Sequence, residues 1–137
     1  MDEVDREILR LLKEDARMKF TTLARRVGLT EGAVRRRVQA LVQSGTIRRF
    51  TIKTFAEEGV KAVTLVSSSA SAKTPEIAED IRAVEGVESV YEVTGQYDVA
   101  VILSGASVAD LNKAIDEIRK IPGVIGTNTL VSLRIWD

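Results

Sequence analysis

The sequence predicts an α+β chain, with an N-terminal winged helix-turn-helix followed by a ferredoxin-like βαββαβ domain. Three observations carry this expectation. Between Phe20 and Ser44, two short apolar stripes of helical spacing flank Gly28. Beyond residue 60 the chain repeats itself at an offset of 37 residues. Charge divides along the same line. Residues 1–53 carry 13 Lys/Arg against 7 Asp/Glu, a net +6, and residues 54–137 carry 7 against 13, a net −6. A basic half joined to an acidic half is the pattern of a nucleic-acid-binding module attached to a part that does not touch nucleic acid. The expected boundaries are 1–53 for the first domain, 54–60 for a hinge and 61–137 for the second domain.

Residues 2–15 read as the first helix. Val4, Ile8, Leu11 and Leu12 share one face, and Asp2, Glu3 and Asp5 crowd the N-terminal end, where the helix dipole favours acids. Leu23, Ala24 and Val27 make the stripe of a second, short helix. Gly28 ends it where a positive φ is needed. Thr30 is the expected N-cap of a third helix over 30–43, in which Val34, Val38, Leu41 and Val42 form the apolar stripe. Two helices joined by a tight glycine turn, the second carrying cations, follow the helix-turn-helix plan, and the first helix is expected to close their core. A run of cations on a helix is commonly no more than a solvated face. Here Arg17–Lys53 holds ten Lys/Arg and one acid, Glu31, and the third helix begins with the small residues Gly32 and Ala33. That balance points to a groove of double-stranded DNA. Thr30, Glu31, Arg35 and Arg36 are expected to face base edges or flanking phosphates. Arg37, which borders the apolar stripe, is assigned to phosphate together with Arg48, Arg49 and Lys53. The last three lie on 46–53, TIRRFTIK, whose β-forming alternation reads as a wing strand.

In the second half, Ile81, Arg82, Val84, Gly86 and Val87 recur as Ile118, Arg119, Ile121, Gly123 and Val124. Each copy reads strand, helix, strand: 61–68, 75–84 and 88–94, then 97–104, 108–120 and 125–136. The stripe of the later helix is Val108, Leu111, Ile115 and Ile118. Two helices cover one face of a four-stranded sheet. Yet 99–103, VAVIL, is apolar on both faces, and so is the last strand, with Val131, Leu133 and Ile135 on one side and Leu130 and Trp136 on the other. An antiparallel strand with one face in water should alternate. The uncovered face therefore calls for a second copy of the sheet, a homodimer that would present two recognition helices to a palindromic operator.

Several classes of function are disfavoured. The chain has no histidine and no cysteine, which removes the commonest general base, the thiolate nucleophile and the usual metal ligands. There is no glycine-rich phosphate loop and no metal-spaced cluster, so no catalysis and no cofactor are expected. No apolar run reaches the roughly 20 residues of a membrane helix, and the chain opens in a charged amphipathic helix unlike a secretory signal. A cytoplasmic protein is expected.

Four segments, taken in order, resemble the Lrp/AsnC family of leucine-responsive, feast/famine regulators. They are DEVDREILRLLKEDAR at 2–17, LARRVGLTEGAVRRRVQALVQSGTIRRF at 23–50, TGQYDVAV at 94–101 and IPGVIGTNT at 121–129. The resemblance implies a transcription regulator whose second domain binds an amino-acid effector between subunits and assembles dimers into tetramers or octamers. Carried over by motif, the effector candidates are Gly95, Tyr97 and Asp98 in the glycine–aspartate loop, Asp116 on the later helix, and Thr127 and Thr129 near the last strand. Loop amides can approach a carboxylate, and an acid can pair an ammonium. With Asp98 on the α-ammonium and Asp116 on a side-chain cation, a basic effector, lysine or arginine, is expected. Plain surface charge is the competing reading of both acids, and sheet packing that of Tyr91 and Tyr97. The alternative for the whole protein is an effector-independent architectural DNA-binding protein.

Overall fold

The computed structural model describes residues 1–53 and 59–136. The expected hinge at 54–60 lies, over 54–58, outside them. The chain divides into two compact units, Met1–Phe55 and Ala56–Asp137.

In the first unit, α1 (Glu3–Glu14) starts in a reciprocal cap. The Asp2 carboxylate accepts the Asp5 N–H at 2.9 Å, and the Asp5 carboxylate accepts the Asp2 N–H at 3.1 Å. The α2 helix (Phe20–Val27) ends at Gly28, whose φ of +70° lets the Leu29 N–H turn back to the Ala24 carbonyl at 2.9 Å. The α3 helix (Glu31–Gln43) follows at once. Ile8, Leu11, Leu12, Leu23, Ala24, Val34, Val38 and Leu41 bury themselves together as one small core. Val42, expected in that stripe, is exposed. The expected wing strand does not form either: 46–53 has no ladder partner among the described residues. The Ile47 N–H returns to the Leu41 carbonyl at 2.9 Å and its side chain packs on the core, after which Arg48–Lys53 runs exposed. β-forming residues alone do not make a strand, which needs a neighbour to bond.

The second unit runs β1 (Val60–Ser68), α4 (Thr74–Arg82), β2 (Val87–Glu92), β3 (Val99–Gly105), α5 (Val108–Arg119) and β4 (Val124–Val131). Its antiparallel sheet has the order β2-β3-β1-β4. The internal repeat is structural. In both copies the chain leaves its helix through the same turn, Val84 N–H to Ile81 O at 3.0 Å and Ile121 N–H to Ile118 O at 3.1 Å, and Gly86 and Gly123 share φ +93°. At Gly123 a Cβ would also stand 2.8 Å from that of Ala72, so both φ and space require glycine.

Helices α4 and α5 cover one face. Ile77, Ile81, Leu111, Ala114, Ile115 and Ile118 pack on Ala62, Val66, Val99, Val101 and Leu103. Val108, expected in the α5 stripe, is exposed in the helix's first turn. The other face carries Val63, Leu65, Ala100, Ile102, Tyr91 and Leu130, half-buried or exposed. The apolar second face inferred from VAVIL is therefore present. The last strand is shorter than expected: β4 stops at Val131, and the fully exposed Leu133, with Ile135 and Trp136, lies beyond the ladder. No helix among the described residues is long and apolar enough to cross a membrane.

Candidate nucleic-acid interface and effector site

The start of α3 is set by Thr30. Its backbone is extended and its Oγ1 accepts the Ala33 N–H at 3.2 Å. At 100° per residue, burying Val34, Val38 and Leu41 turns Arg35 and Arg36 outward and leaves Arg37 on the flank of the buried stripe. The three consecutive arginines then meet different surroundings. The Arg35 guanidinium donates to Glu31 Oε1 at 2.8 Å and lies 4.9 Å from the centre of the Phe20 ring. Arg36 is exposed and has no bond or ion pair among the described residues. Arg37, read from sequence as a phosphate contact, is turned toward α1. Its Nη1 donates to Asp2 Oδ2 and Asp5 Oδ1, both at 2.8 Å. The Asp5 N–H first, and Arg37 second, hold the Asp2 carboxyl below the usual range. Arg37 thus ties α3 to the N-terminus of α1 and is already engaged. Arg48, Arg49 and Lys53 are exposed and unpaired among the described residues.

The six effector candidates do not form one closed site on a single chain. Gly95 has φ +113° with open space where a Cβ would stand, so backbone conformation alone calls for glycine there. Asp98 is a local clamp. Its N–H donates to Val66 O, its carbonyl accepts the Val93 N–H, and its Oδ2 accepts the Ser68 N–H at 2.8 Å and the Ser68 hydroxyl at 3.0 Å. Those bonds, the backbone one first, hold its carboxyl below the usual range. The Tyr97 hydroxyl accepts from Asn128 Nδ2 at 3.1 Å. Thr127 and Thr129 lie opposite Val66 and Thr64, on the helix-covered face, while Asn128 between them points to the other. Thr129 Oγ1 bonds the hydroxyl of the fully buried Thr64 at 3.0 Å. Thr127 Oγ1 accepts from Arg119 Nε at 3.0 Å, and Arg119 Nη1 stands 3.6 Å from Asp116 Oδ1. Asp116 is therefore partnered, weakly, along its own helix.

Three residues that bond the candidates were not singled out in the sequence: Ser68, Asn128 and Arg119. Only Arg119 left a trace, as the repeat mate of Arg82. A groove of about 630 Å³ lies at the other end of β3 from the 94–98 loop, lined by Gly86, Ser104, Gly105, Asp110, Lys113 and Glu117 among others. None of the candidates lines it. No group of acids, histidines or cysteines among the described residues is placed to hold a metal.

Family models match both units: an AsnC-type helix-turn-helix domain over residues 1–42 and an Lrp/AsnC ligand binding domain over 61–136. The HTH-type transcriptional regulator LysM of Saccharolobus solfataricus is 43% identical, the match covering 99% of this chain and 96% of that protein. The feast or famine regulatory protein of M. tuberculosis, solved in complex with L-methionine, superposes with a TM-score of 0.84 at 25% identity, over 99% of this chain and 94% of that one. The leucine response regulatory protein of Mycobacterium tuberculosis gives a TM-score of 0.87 at 25% identity, over 100% and 95%. The fold, the exposed cations of α3 and both domain matches agree: this chain belongs to the Lrp/AsnC family of transcriptional regulators, with a DNA-binding helix-turn-helix and a ligand-binding domain, and is not an enzyme.

Proposed function

We propose that this regulator binds a palindromic operator as a homodimer and that a basic amino acid, lysine or arginine, modulates it from a site between subunits. The observation that carries the DNA side is the exposed face of α3. Thr30 and Glu31 at its start and Arg35 and Arg36 one turn on form a cationic surface with a single acid. Arg48, Arg49 and Lys53 add phosphate contacts. Arg37 is left out, being bound to Asp2 and Asp5. The uncovered apolar face of the sheet supports the dimer, and effector bound between dimers would favour tetramers or octamers, changing how many recognition helices meet the DNA. Such a protein works in the cytoplasm, on DNA. The ligand-binding-domain match weighs against a purely architectural protein.

For the effector, Asp116 supports a cationic side chain. Its pair with Arg119 is long at 3.6 Å and more than half exposed on both sides, so a ligand ammonium can take that carboxylate while Arg119 keeps its bond to Thr127. The neighbour complexed with L-methionine supports an amino acid as the ligand class. Gly95, Tyr97 and Asp98, with Oδ1 of Asp98 unbonded among the described residues, would meet the α-ammonium and carboxylate. Thr127 and Thr129 would line the β4 side. Calorimetric titration of lysine, arginine, glutamine and leucine into the wild type and Asp116→Ala tests this. Lysine or arginine should bind most tightly, and the variant should lose about tenfold in that affinity, equal to about 1.4 kcal/mol. Leucine binding as tightly as lysine, or an unchanged lysine affinity in the variant, would sink the assignment of Asp116.

A further inference from the structure

The three arginines at 35–37 look equivalent as a sequence, but Arg37 is bound inward, Arg36 has no partner among the described residues, and Arg35 is restrained from two sides. The Arg35 guanidinium carbon lies over the ring of Phe20, the first residue of α2, 4.9 Å from its centre. Glu31, one turn earlier on α3, accepts from Nη2 at 2.8 Å. We infer that Phe20 and Glu31 are positioning residues for DNA recognition, holding the Arg35 guanidinium in one orientation so that it reads a base edge while the free Arg36 follows phosphate. This rests on the reading of α3 as the recognition helix.

Two physical points support it. The ring contact at the guanidinium carbon uses no N–H as a hydrogen-bond donor to another side chain, and among the described residues Glu31 engages Nη2 alone, so most of the donor fork remains available for a guanine edge or a phosphate. A long side chain already ordered in the free protein also loses less freedom on binding, and that gain goes to the one sequence whose acceptors match its fixed direction. Glu31 is moreover the sole acid from Arg17 to Lys53. An acid facing DNA opposes binding to every sequence, which general affinity does not explain but an oriented Arg35 does. A first-turn acid also suits the helix dipole. The Phe20 variants separate the two accounts, because they leave every charge in place.

The experiment uses the full chain. A duplex is first selected by the wild type from a random pool, and dissociation constants are then measured for that duplex and a scrambled one at several salt concentrations. Phe20→Leu should lower the selected-to-scrambled ratio about tenfold without changing the salt slope. Phe20→Tyr, which keeps the ring, should restore the ratio to within about twofold of wild type. Glu31→Gln should tighten scrambled binding and lower the ratio. Arg36→Ala should weaken both duplexes alike. Thermal unfolding reports whether each variant is folded, and if Phe20→Leu is not, Glu31→Gln decides. A folded Phe20→Leu or Glu31→Gln chain with the wild-type ratio would overturn the positioning role alone. A wild type that binds no duplex would remove the recognition-helix reading and this inference with it.

Discussion

Thr30 joins stability to recognition in one side chain, and the two contributions can be separated. Its Oγ1 accepts the Ala33 N–H at 3.2 Å, satisfying one of the first-turn amides of α3 that have no carbonyl partner. In Thr30→Ala that acceptor is gone, and the loss of an N-cap of this kind costs about 1 kcal/mol. The core it supports is small, eight buried residues from three short helices among the described residues. For a unit of this size about 1 kcal/mol lowers the melting temperature by roughly 4–8 °C. Calorimetric melting and exchange of the Ala33 amide would read the effect globally and locally, and Thr30→Ser should recover both. Thr30→Asp separates the roles. It keeps an excellent cap and adds a favourable charge at the helix N-terminus, so the fold should be at least as stable. The same charge placed ~7 Å from a phosphate costs about 1 kcal/mol at an effective dielectric near 50, about fivefold in affinity. A Thr30→Ala chain that melts and exchanges like wild type would show that the cap contributes nothing in solution. A stable Thr30→Asp chain binding DNA as tightly as wild type would show that the start of α3 does not face the duplex.

Two further outcomes are expected. Asp98 has a native pKa lowered below its ordinary 3.8, chiefly by the Ser68 N–H. Its contribution is thus complete above about pH 4 and is lost as pH falls through the lower native value. Asp98→Asn should therefore shift the urea midpoint of the second unit at pH 7, with the difference from wild type shrinking toward pH 2.5. An equal difference at both would show that the carboxylate's ionisation is not involved. Ile102 stands on β3 in the uncovered face, paired with Val63. Ile102→Asp should convert a sedimenting dimer to a monomer with unchanged helix content, since the two-fold places the new charge in the interface twice. A variant still dimeric at micromolar concentration would exclude this face as the interface.

Periodicity was sufficient for the helices and for the strands of the sheet, in their order. The spacing of Leu23, Gly28, Thr30 and Val34 located a helix, its left-handed stop, a cap and the next helix, because each rests on contacts within a few residues. The recurrence of Ile81–Val87 at Ile118–Val124 located two equivalent turns for the same reason. Partners on other elements were not legible. Arg37 and Val42 sit on opposite flanks of the α3 stripe. One flank meets the carboxylates of α1, so Arg37 turns in, while Val42 on the other stays 45% exposed. The alternation of 46–53 could not say whether a neighbouring strand exists to bond it. Asp98 and Thr129 were singled out for a ligand, but the fold brings Ser68 and Thr64 to them across 30 and 65 residues of chain. A side chain's direction follows from its own helix or strand. What waits there to receive it is decided by the packing of distant segments, which only the tertiary structure contains.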